Sequence, residues 1–279
     1  MNKETQQRLR AFIDLDGTLY HGSTMIEGAN ELIATLNQLN VPYLFVTNNS
    51  SRTPEAVAKF LNSIGIDARD DHVLTSAQAA ASYIQKHYTK QKVFVIGEEG
   101  LQQALSDSGA NWTDCVEEAW TTDIGVVVQG IDRQLSYAKL EAASAAILRG
   151  AAFVLTNPDL MLPSDKGISP GAGTIGAALQ AATGVDPVVI GKPSHIIMNA
   201  ALERLGCSAE EAIVIGDNML TDMKAGAQVG CRTALVYTGV TTPNNFASYK
   251  EKSGVIPDLV FHNLQEIRQW IIEEVSATI

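Results

Sequence analysis

The octapeptide Phe12-Ile13-Asp14-Leu15-Asp16-Gly17-Thr18-Leu19 joins an apolar run to two acidic residues and a glycine. The apolar residues predict a buried strand, and Asp14 and Asp16, two positions apart, point to one side of it where the extended geometry persists. Neighbouring buried carboxylates repel each other unless a cation lies between them, and Gly17 permits a tight turn that presents backbone N–H groups. Because Asp-Gly after a strand is also a common turn signal, the octapeptide alone leaves a binding site and a plain turn both open.

The rest of the chain alternates between short apolar runs and helical patterns. After the strand Ala11–Leu15, apolar residues at helical spacing predict a helix, and Tyr43–Val46 predicts the next strand. The alternation continues to a closing helix near Leu264–Val275, whereas Thr238–Gly254, rich in Thr, Asn and Ser, is predicted to be a surface loop. This pattern predicts an α/β fold with doubly wound parallel sheets, whose ligands bind beyond the carboxyl ends of the strands.

Three later strand ends also carry polar side chains suited to a phosphate or a metal ion. Thr47 and Asn48 offer a hydroxyl and an amide to an oxyanion, or form an Asx-turn. Lys192 stands directly before a predicted helix start, where the helix dipole favours anions, although a lone lysine is more often simply solvated. Asp217 follows another predicted strand, and its hard oxygen ligands, with those of Asp222, suit Mg²⁺. Asp222 alone would equally fit the acidic first turn of a helix.

Four motifs in this order resemble those of the haloacid dehalogenase superfamily of phosphotransferases. They are DLDGT at Asp14–Thr18, TN at Thr47–Asn48, the lysine Lys192, and GDNxxTD at Gly216–Asp222. Within that superfamily the chain resembles the class IIA (C2-cap) NagD and p-nitrophenylphosphatase subfamily, through TNNS at Thr47–Ser50, TNPD at Thr156–Asp159, PGAG at Pro170–Gly173 and GKPS at Gly191–Ser194. The resemblance covers nearly the whole chain and implies a Rossmann-like core with an inserted cap.

The spacing of the motifs fits the branch of the family that carries its cap between the second and third motifs. About thirty residues separate the first motif from the second, whereas about 145 residues separate Thr47 from Lys192, far more than an ordinary loop. The longer interval has its own strand–helix pattern and is therefore expected to be a second domain. We expect residues 1–78 and 187–279 to form the catalytic core, and residues 79–186 to form an α/β cap that sets substrate specificity.

The resemblance implies covalent catalysis by paired acids and a magnesium ion. Asp14 would attack phosphorus in line and form an aspartyl phosphate. Asp16 would protonate the leaving alcohol and then deprotonate the water that cleaves the intermediate. Mg²⁺ would be held by the Asp14 carboxylate, the Asp16 backbone carbonyl and Asp217, with Asp222 behind them, and would offset the charge of the phosphate dianion.

The other motif residues are expected to bind or support the transferring phosphoryl group. Thr47, Asn48 and Lys192 would bind its oxygens, aided by the backbone amides of the first motif, while Asn48 and Asn218 would also orient these groups. Gly17 supports the turn. The second acid of DLDGT argues against the dehalogenase branch, and the short interval before the second motif argues against the mutase branch. A hydrolase is the remaining activity.

Cap residues that meet the leaving group are expected at Thr156, Asn157 and Asp159, followed by the apolar Leu162. A simple turn at Asn157-Pro158-Asp159 explains the same residues equally well. An apolar wall formed by Leu162 beside the substrate would favour weak selectivity among small phosphomonoesters.

The composition limits the partners of the protein. A net charge of −11 repels polyphosphate backbones and argues against non-specific binding of nucleic acids. The polar N-terminus argues against a signal peptide, and the lack of an apolar run of about 18–20 residues argues against a membrane span. The three scattered cysteines fit thiols in a reducing compartment, so we expect a cytoplasmic protein.

The expected partner is a small phosphorylated metabolite, and the expected activity is Mg²⁺-dependent hydrolysis of its phosphomonoester. Sugar phosphates, nucleoside monophosphates, phosphoglycolate and pyridoxal phosphate stay open as substrates, with p-nitrophenyl phosphate as the model substrate. A phospho-ligand sensor and a phosphotransferase to another acceptor are the alternatives, although a sensor has no need of both Asp14 and Asp16. The oligomeric state is open, with a homodimer among the alternatives.

Overall fold

The computed structural model describes residues 9–164 and 167–277, which divide into two α/β units. The first unit contains residues 9–47, 57–74 and 192–277, and the second contains residues 48–56 and 75–191. The sequence placed the boundaries at 78/79 and 186/187. In the structure, the helix Ser76–His87 and the strand Val188–Val189 lie whole within the second unit. The roles of the units as catalytic core and specificity cap stay a prediction.

The first unit is built around a six-stranded sheet. In spatial order its strands are Leu259–Phe261, Arg232–Val236, Ala212–Gly216, Arg10–Ile13, Tyr43–Thr47 and Val73–Thr75. The first five of these pair in parallel. Ile13 pairs with both Ile215 and Phe45, so the chain segments that follow these three strands leave the sheet at one edge.

Burial on both faces explains why the central strands are continuous apolar runs. Helices cover these faces. Helical spacing of Ala29, Leu32, Ile33, Leu36 and Leu39 predicts the first of them, and the first four of these side chains are fully buried. The helix ends at Gln38, so Leu39 is its C-terminal cap and is half-buried. The helices of this part of the chain are Ala29–Gln38, Pro54–Ser63, His195–Leu205, Lys224–Val229, Phe246–Ser253 and Leu264–Ala277. A small antiparallel hairpin pairs Tyr20–His21 with Thr24–Met25 directly after the first motif.

The second unit has its own five-stranded parallel sheet. In spatial order its strands are Val188–Val189, Ala152–Leu155, Ile124–Gln129, Lys92–Ile96 and Trp112–Thr113. Its helices are Ser76–His87, Glu99–Asp107, Val116–Thr121, Tyr137–Leu148 and Ala172–Thr183, and an antiparallel hairpin pairs Met161–Ser164 with Gly167–Pro170. Across both units, every described helix is too short or too polar to traverse a lipid bilayer. The predicted doubly wound α/β fold class is confirmed.

The expectation that Thr238–Gly254 is a surface loop is wrong in two respects. The helix Phe246–Ser253 lies within it, and Thr241 is fully buried. Phe246 and Tyr249 pack against a small buried apolar cluster. Local composition does not signal this helix, because most of its residues are polar and its place in the fold depends on those two aromatic contacts.

Candidate active site

The carboxylates of Asp14, Asp217 and Asp222 meet at the carboxyl edge of the first sheet. Asp14 follows the strand Arg10–Ile13, and its N–H donates to the Ile215 carbonyl of the neighbouring strand at 2.9 Å. Asp217 follows that neighbouring strand, and Asp222 lies in the short π-helical turn after it. One carboxylate oxygen from each acid lies within 4.8 Å of the others. The parallel register therefore gathers acids that are far apart in sequence.

Lys192 is the cation of this cluster. Its Nζ lies 2.5 Å from Asp14 Oδ1 and 2.7 Å from Asp222 Oδ1, and it donates to the Val46 carbonyl at 2.9 Å. The lysine is buried rather than solvated, with 3% of its surface exposed. Burial alone would lower the pKa of the Lys192 amine, but the Asp14 and Asp222 carboxylates raise it above its ordinary value. The ammonium group is therefore charged at neutral pH.

The cluster holds more acidic than basic groups. Burial and the neighbouring Asp14 carboxylate raise the pKa of Asp217, and burial raises the pKa of Asp222 against the opposing effect of Lys192. Three carboxyl groups face one ammonium group in this cluster. Ionisation of all three would leave net negative charge in a buried place, so each negative charge there is costly without a further cation. Clustered oxygen donors with this excess charge fit a hard divalent cation.

Thr18 and Gly17 shape the space between Asp14 and Asp217. The Thr18 hydroxyl is fully buried and lies 3.2 Å from Asp14 Oδ2 and 3.0 Å from Asp217 Oδ1. Gly17 has a φ of +88°, and a Cβ at this position would lie 2.7 Å from Asp217 Oδ2. Gly17 is therefore required both for the turn and for the close approach of Asp217. The sequence indicated the turn but missed the bridging role of Thr18.

Asp16 lies at the accessible rim of this cluster. Its side chain keeps contact with solvent, yet the surrounding protein and the Asp14 carboxylate raise its pKa. The chain turns sharply after it, because the Gly17 N–H donates to the Tyr20 carbonyl at 2.8 Å. Asp16 is thus placed near Asp14 without being buried with it.

Asn218 shapes the turn that carries Asp222. Its side-chain Oδ1 accepts the Leu220 N–H at 2.9 Å, and its own N–H donates to Asp222 Oδ2 at 3.1 Å. Gly216 precedes this turn, and a Cβ there would overlap the Asp222 carboxyl group. Asn218 thus helps to orient Asp222, and its predicted support of the phosphoryl-binding groups stays a prediction.

Two residues that the sequence did not suggest also bind Asp217. The Val240 N–H donates to Asp217 Oδ2 at 2.6 Å, and the Thr241 N–H donates to the Asp217 carbonyl at 3.0 Å. Both residues follow the strand Arg232–Val236, which lies beside Ala212–Gly216 in the sheet. Their position after a further strand end was the one available signal for them.

The second motif spans the boundary between the units. Thr47 ends its strand in the first unit and is largely buried. Asn48 makes its contacts in the second unit, where its Nδ2 donates to Asp159 Oδ2 at 3.1 Å. Its carbonyl accepts from Ser76 Oγ at 2.7 Å and from Asn157 Nδ2 at 2.8 Å. The side-chain amide of Asn48 thus donates to a carboxylate. Binding of a phosphate by Asn48 stays a prediction.

The predicted cap residues form a compact turn within the second unit. Thr156 and Asn157 are buried, and Asn157 Oδ1 accepts the Asp159 N–H at 3.2 Å, as in an Asx-turn. Leu162 is half-buried and packs against a small apolar cluster that includes Leu155. The structure thus contains the turn that was one of the two interpretations. Contact of these residues with a substrate stays a prediction.

Comparisons with known proteins extend over both units. The model of the haloacid dehalogenase-like hydrolase family matches residues 11–111, and a HAD-hydrolase-like model matches residues 189–267. The chain is 41% identical to the 5'-nucleotidase YutF of Bacillus subtilis (strain 168) over 259 residues, which cover 93% of this chain and 96% of that protein. It is also 41% identical to an acid sugar phosphatase of Staphylococcus saprophyticus over 255 residues, or 91% of this chain and 95% of that protein.

Among solved structures, the p-nitrophenyl phosphatase from Archaeoglobus fulgidus superimposes with a TM-score of 0.86 at 36% sequence identity. The superposition covers 94% of this chain and 98% of that chain. The similarity therefore extends over nearly the full length of both proteins.

Proposed function

The chain belongs to the NagD-like branch of the haloacid dehalogenase-like hydrolases and is a phosphoric monoester hydrolase, and on that premise we propose that it works through a covalent aspartyl phosphate with Mg²⁺ as cofactor. One observation carries the proposal. The carboxylates of Asp14, Asp217 and Asp222, drawn from separate segments of the chain, converge within 4.8 Å of one another beside the buried Lys192. Phosphoryl transfer needs mainly such positioning and charge neutralisation.

Asp14 and Asp16 divide the chemistry between them. An oxygen of Asp14 attacks phosphorus, the bond to the leaving oxygen breaks, and the Asp16 carboxyl group gives its proton to that oxygen. The Asp16 carboxylate then takes a proton from water, whose oxygen attacks the aspartyl phosphate and releases inorganic phosphate. Asp16 is accessible to solvent, whereas Asp14 is more enclosed. This difference supports Asp16 as the general acid and base, because that residue must exchange protons with the leaving group and with water.

Two carboxylates and one backbone carbonyl would supply the ligands for the metal ion. Asp14, Asp217 and the Asp16 carbonyl would hold Mg²⁺, and Asp222 would support them from behind. When bound, the cation offsets the charge of the phosphate dianion beside these acids. The excess of carboxyl groups over ammonium groups in the cluster supports a divalent ion at this place.

Lys192 and Thr47 are the proposed partners of the transferring phosphoryl oxygens. Lys192 is already charged and directed to Asp14, so a phosphoryl group on Asp14 would lie beside the ammonium group. The side-chain amide of Asn48 donates to Asp159 at 3.1 Å, and binding of a phosphoryl oxygen by Asn48 stays a prediction.

Small phosphorylated metabolites are the proposed substrates, with nucleoside monophosphates and sugar phosphates as the first classes to test. The similar proteins from Bacillus subtilis and Staphylococcus saprophyticus are named as a 5'-nucleotidase and an acid sugar phosphatase. Selection among substrates by Thr156, Asn157, Asp159 and Leu162 stays part of the proposal.

The mechanism is tested by measuring release of p-nitrophenol with Mg²⁺ and with EDTA, alongside rapid acid quenching of a labelled substrate. We expect turnover to require the metal. We also expect the acid quench to trap the label covalently on the parent protein but not on Asp14→Asn. Hydroxylamine should release this label, as it does from an acyl phosphate. Full activity in EDTA, or turnover without labelled protein under conditions that slow its hydrolysis, would contradict the proposal.

The same assay separates the alternatives. A phospho-ligand sensor would bind nucleoside monophosphates or sugar phosphates and release no phosphate. A phosphotransferase would form a new phosphomonoester when alcohols are added, at the expense of inorganic phosphate. We expect inorganic phosphate as the main product with and without added alcohol.

A further inference from the structure

The segment Gly239–Thr241 contacts the Asp217 carboxylate at Oδ2, whereas Thr18 contacts it at Oδ1. The Val240 N–H reaches the carboxylate at Oδ2, at 2.6 Å, and the Thr241 N–H reaches the main-chain carbonyl of the same residue, at 3.0 Å. The carboxylate end and the backbone end of Asp217 are therefore held by consecutive peptide groups. Two donors on one acidic residue restrict its side-chain rotation as well as its backbone position.

The side chain of Thr241 extends this contact by two residues. Its hydroxyl oxygen accepts the Met219 N–H at 3.1 Å, and the whole residue is fully buried. Thr241 thus bonds to both peptide groups that flank Asn218, at the Asp217 carbonyl and at the Met219 N–H. Loss of the hydroxyl would leave a buried N–H without its acceptor.

Gly239 leaves space for the Asp217 carboxylate to reach this segment. A Cβ at residue 239 would overlap Asp217 Oδ2 and would lie 2.7 Å from the Gly17 carbonyl oxygen. Any side chain here would push the Asp217 carboxylate out of its place. Space, and not a left-handed backbone, is the reason for glycine at this position.

We propose that Gly239–Thr241 is a positioning segment that presents the Asp217 carboxylate to the divalent cation. This inference rests on the proposed function, in which Asp217 is a metal ligand. Three separate features, the two backbone donors, the buried hydroxyl and the missing Cβ, all act on one carboxylate-bearing turn. Partners that orient a ligand in this way contribute strongly to metal affinity.

The test compares Thr241→Val with two matched variants by titrating the folded enzyme with MgCl₂ in a calorimeter. Thr241→Ser keeps the hydroxyl. Thr233→Val removes a hydroxyl of the same kind elsewhere, because Thr233 is almost fully buried and its Oγ1 accepts the Asp258 N–H, also at 3.1 Å. We expect Thr241→Val to raise the Kd for Mg²⁺ about tenfold, while Thr241→Ser and Thr233→Val keep the parent Kd.

An Asp217→Asn variant distinguishes failure of this inference from failure of the proposed function. A parent-like Kd in Thr241→Val with a weakened Asp217→Asn would overturn the positioning role alone. A parent-like Kd in Asp217→Asn would overturn the metal assignment on which it rests. If Thr241→Val does not fold, Gly239→Ala replaces it, with the same expected rise in Kd and the same contrary outcome.

Discussion

Replacing Lys192 by Met keeps the length of the side chain and removes its charge. In the structure, Nζ lies 2.5 Å from Oδ1 of Asp14, the residue whose carboxylate we propose becomes phosphorylated. The oxygens of that phosphoryl group would lie roughly 4 Å from the ammonium group, a separation at which two unit charges interact by about 4 kcal/mol at an effective dielectric constant near 20. Because about 1.4 kcal/mol corresponds to a factor of ten in rate, kcat/KM should fall about 1,000-fold.

The assay is steady-state hydrolysis of p-nitrophenyl phosphate at saturating Mg²⁺. Lys139→Met is the matched control, because Lys139 Nζ lies 2.7 Å from Asp132 Oδ2 and that carboxylate is buried. Both variants lose an ion pair with a buried acid, and both should lower the free energy of unfolding. Only Lys192→Met should lose activity, since Lys139 lies in the second unit and its ion pair is with Asp132.

A folded Lys192→Met enzyme with kcat/KM within about tenfold of the parent would refute this reasoning, since the charge would then contribute less than about 1.4 kcal/mol to the transition state. An equal loss in Lys139→Met would point instead to a general effect of stability on activity. Thermal unfolding of both variants, measured beside the rates, separates these two results.

Three further predictions follow from individual residues. Asp14→Asn should abolish release of phosphate while keeping the circular dichroism spectrum of the parent, and a near-parent rate would show that the nucleophile is misassigned. Gly17→Ala should lower the free energy of unfolding by roughly 1–3 kcal/mol in urea titrations, through strain and a clash with Asp217. Gly22→Ala is its control, because Gly22 also has a positive φ, of +59°, but has nothing within 4 Å of the added Cβ; equal losses in the two variants would exclude the clash. Burial lowers the pKa of His72 below its ordinary 6.5, and a neighbouring arginine donates to its Nε2. The unfolded chain therefore binds a proton at His72 more readily than the folded protein does. The free energy of unfolding should therefore fall as the pH drops below about 6.5, and His72→Phe should weaken that fall; an unchanged pH profile would contradict this origin.

The principal charged residues of the candidate site could be predicted from local sequence. Asp14, Asp217 and Lys192 each follow a short apolar run, and side chains beyond the carboxyl ends of parallel strands gather at one edge of a sheet. That rule needs only the existence and direction of the strands. It also explains why acids about 200 residues apart could be expected to share a cation.

The supporting residues could not be found in the same way. Thr241 lies in a stretch whose polar composition is typical of a surface loop, yet it is fully buried against the turn after Asp217. Its burial depends on the strand Arg232–Val236 lying beside Ala212–Gly216. No local pattern records which strands are neighbours, because a strand's apolar run is the same whichever strand pairs with it.

Hydrophobic periodicity and turn residues were enough to indicate an α/β chain, its main strands and helices, and the acids at the strand ends, since these are properties of a few consecutive residues. The three-dimensional packing assigned the partners: Thr18 between two acids, Lys192 between Asp14 and Asp222, and the Asn48 amide to Asp159. A hydrogen bond weakens steeply with a small change in distance or angle. Its partner is therefore decided only when sheet register and helix packing have set both ends in place.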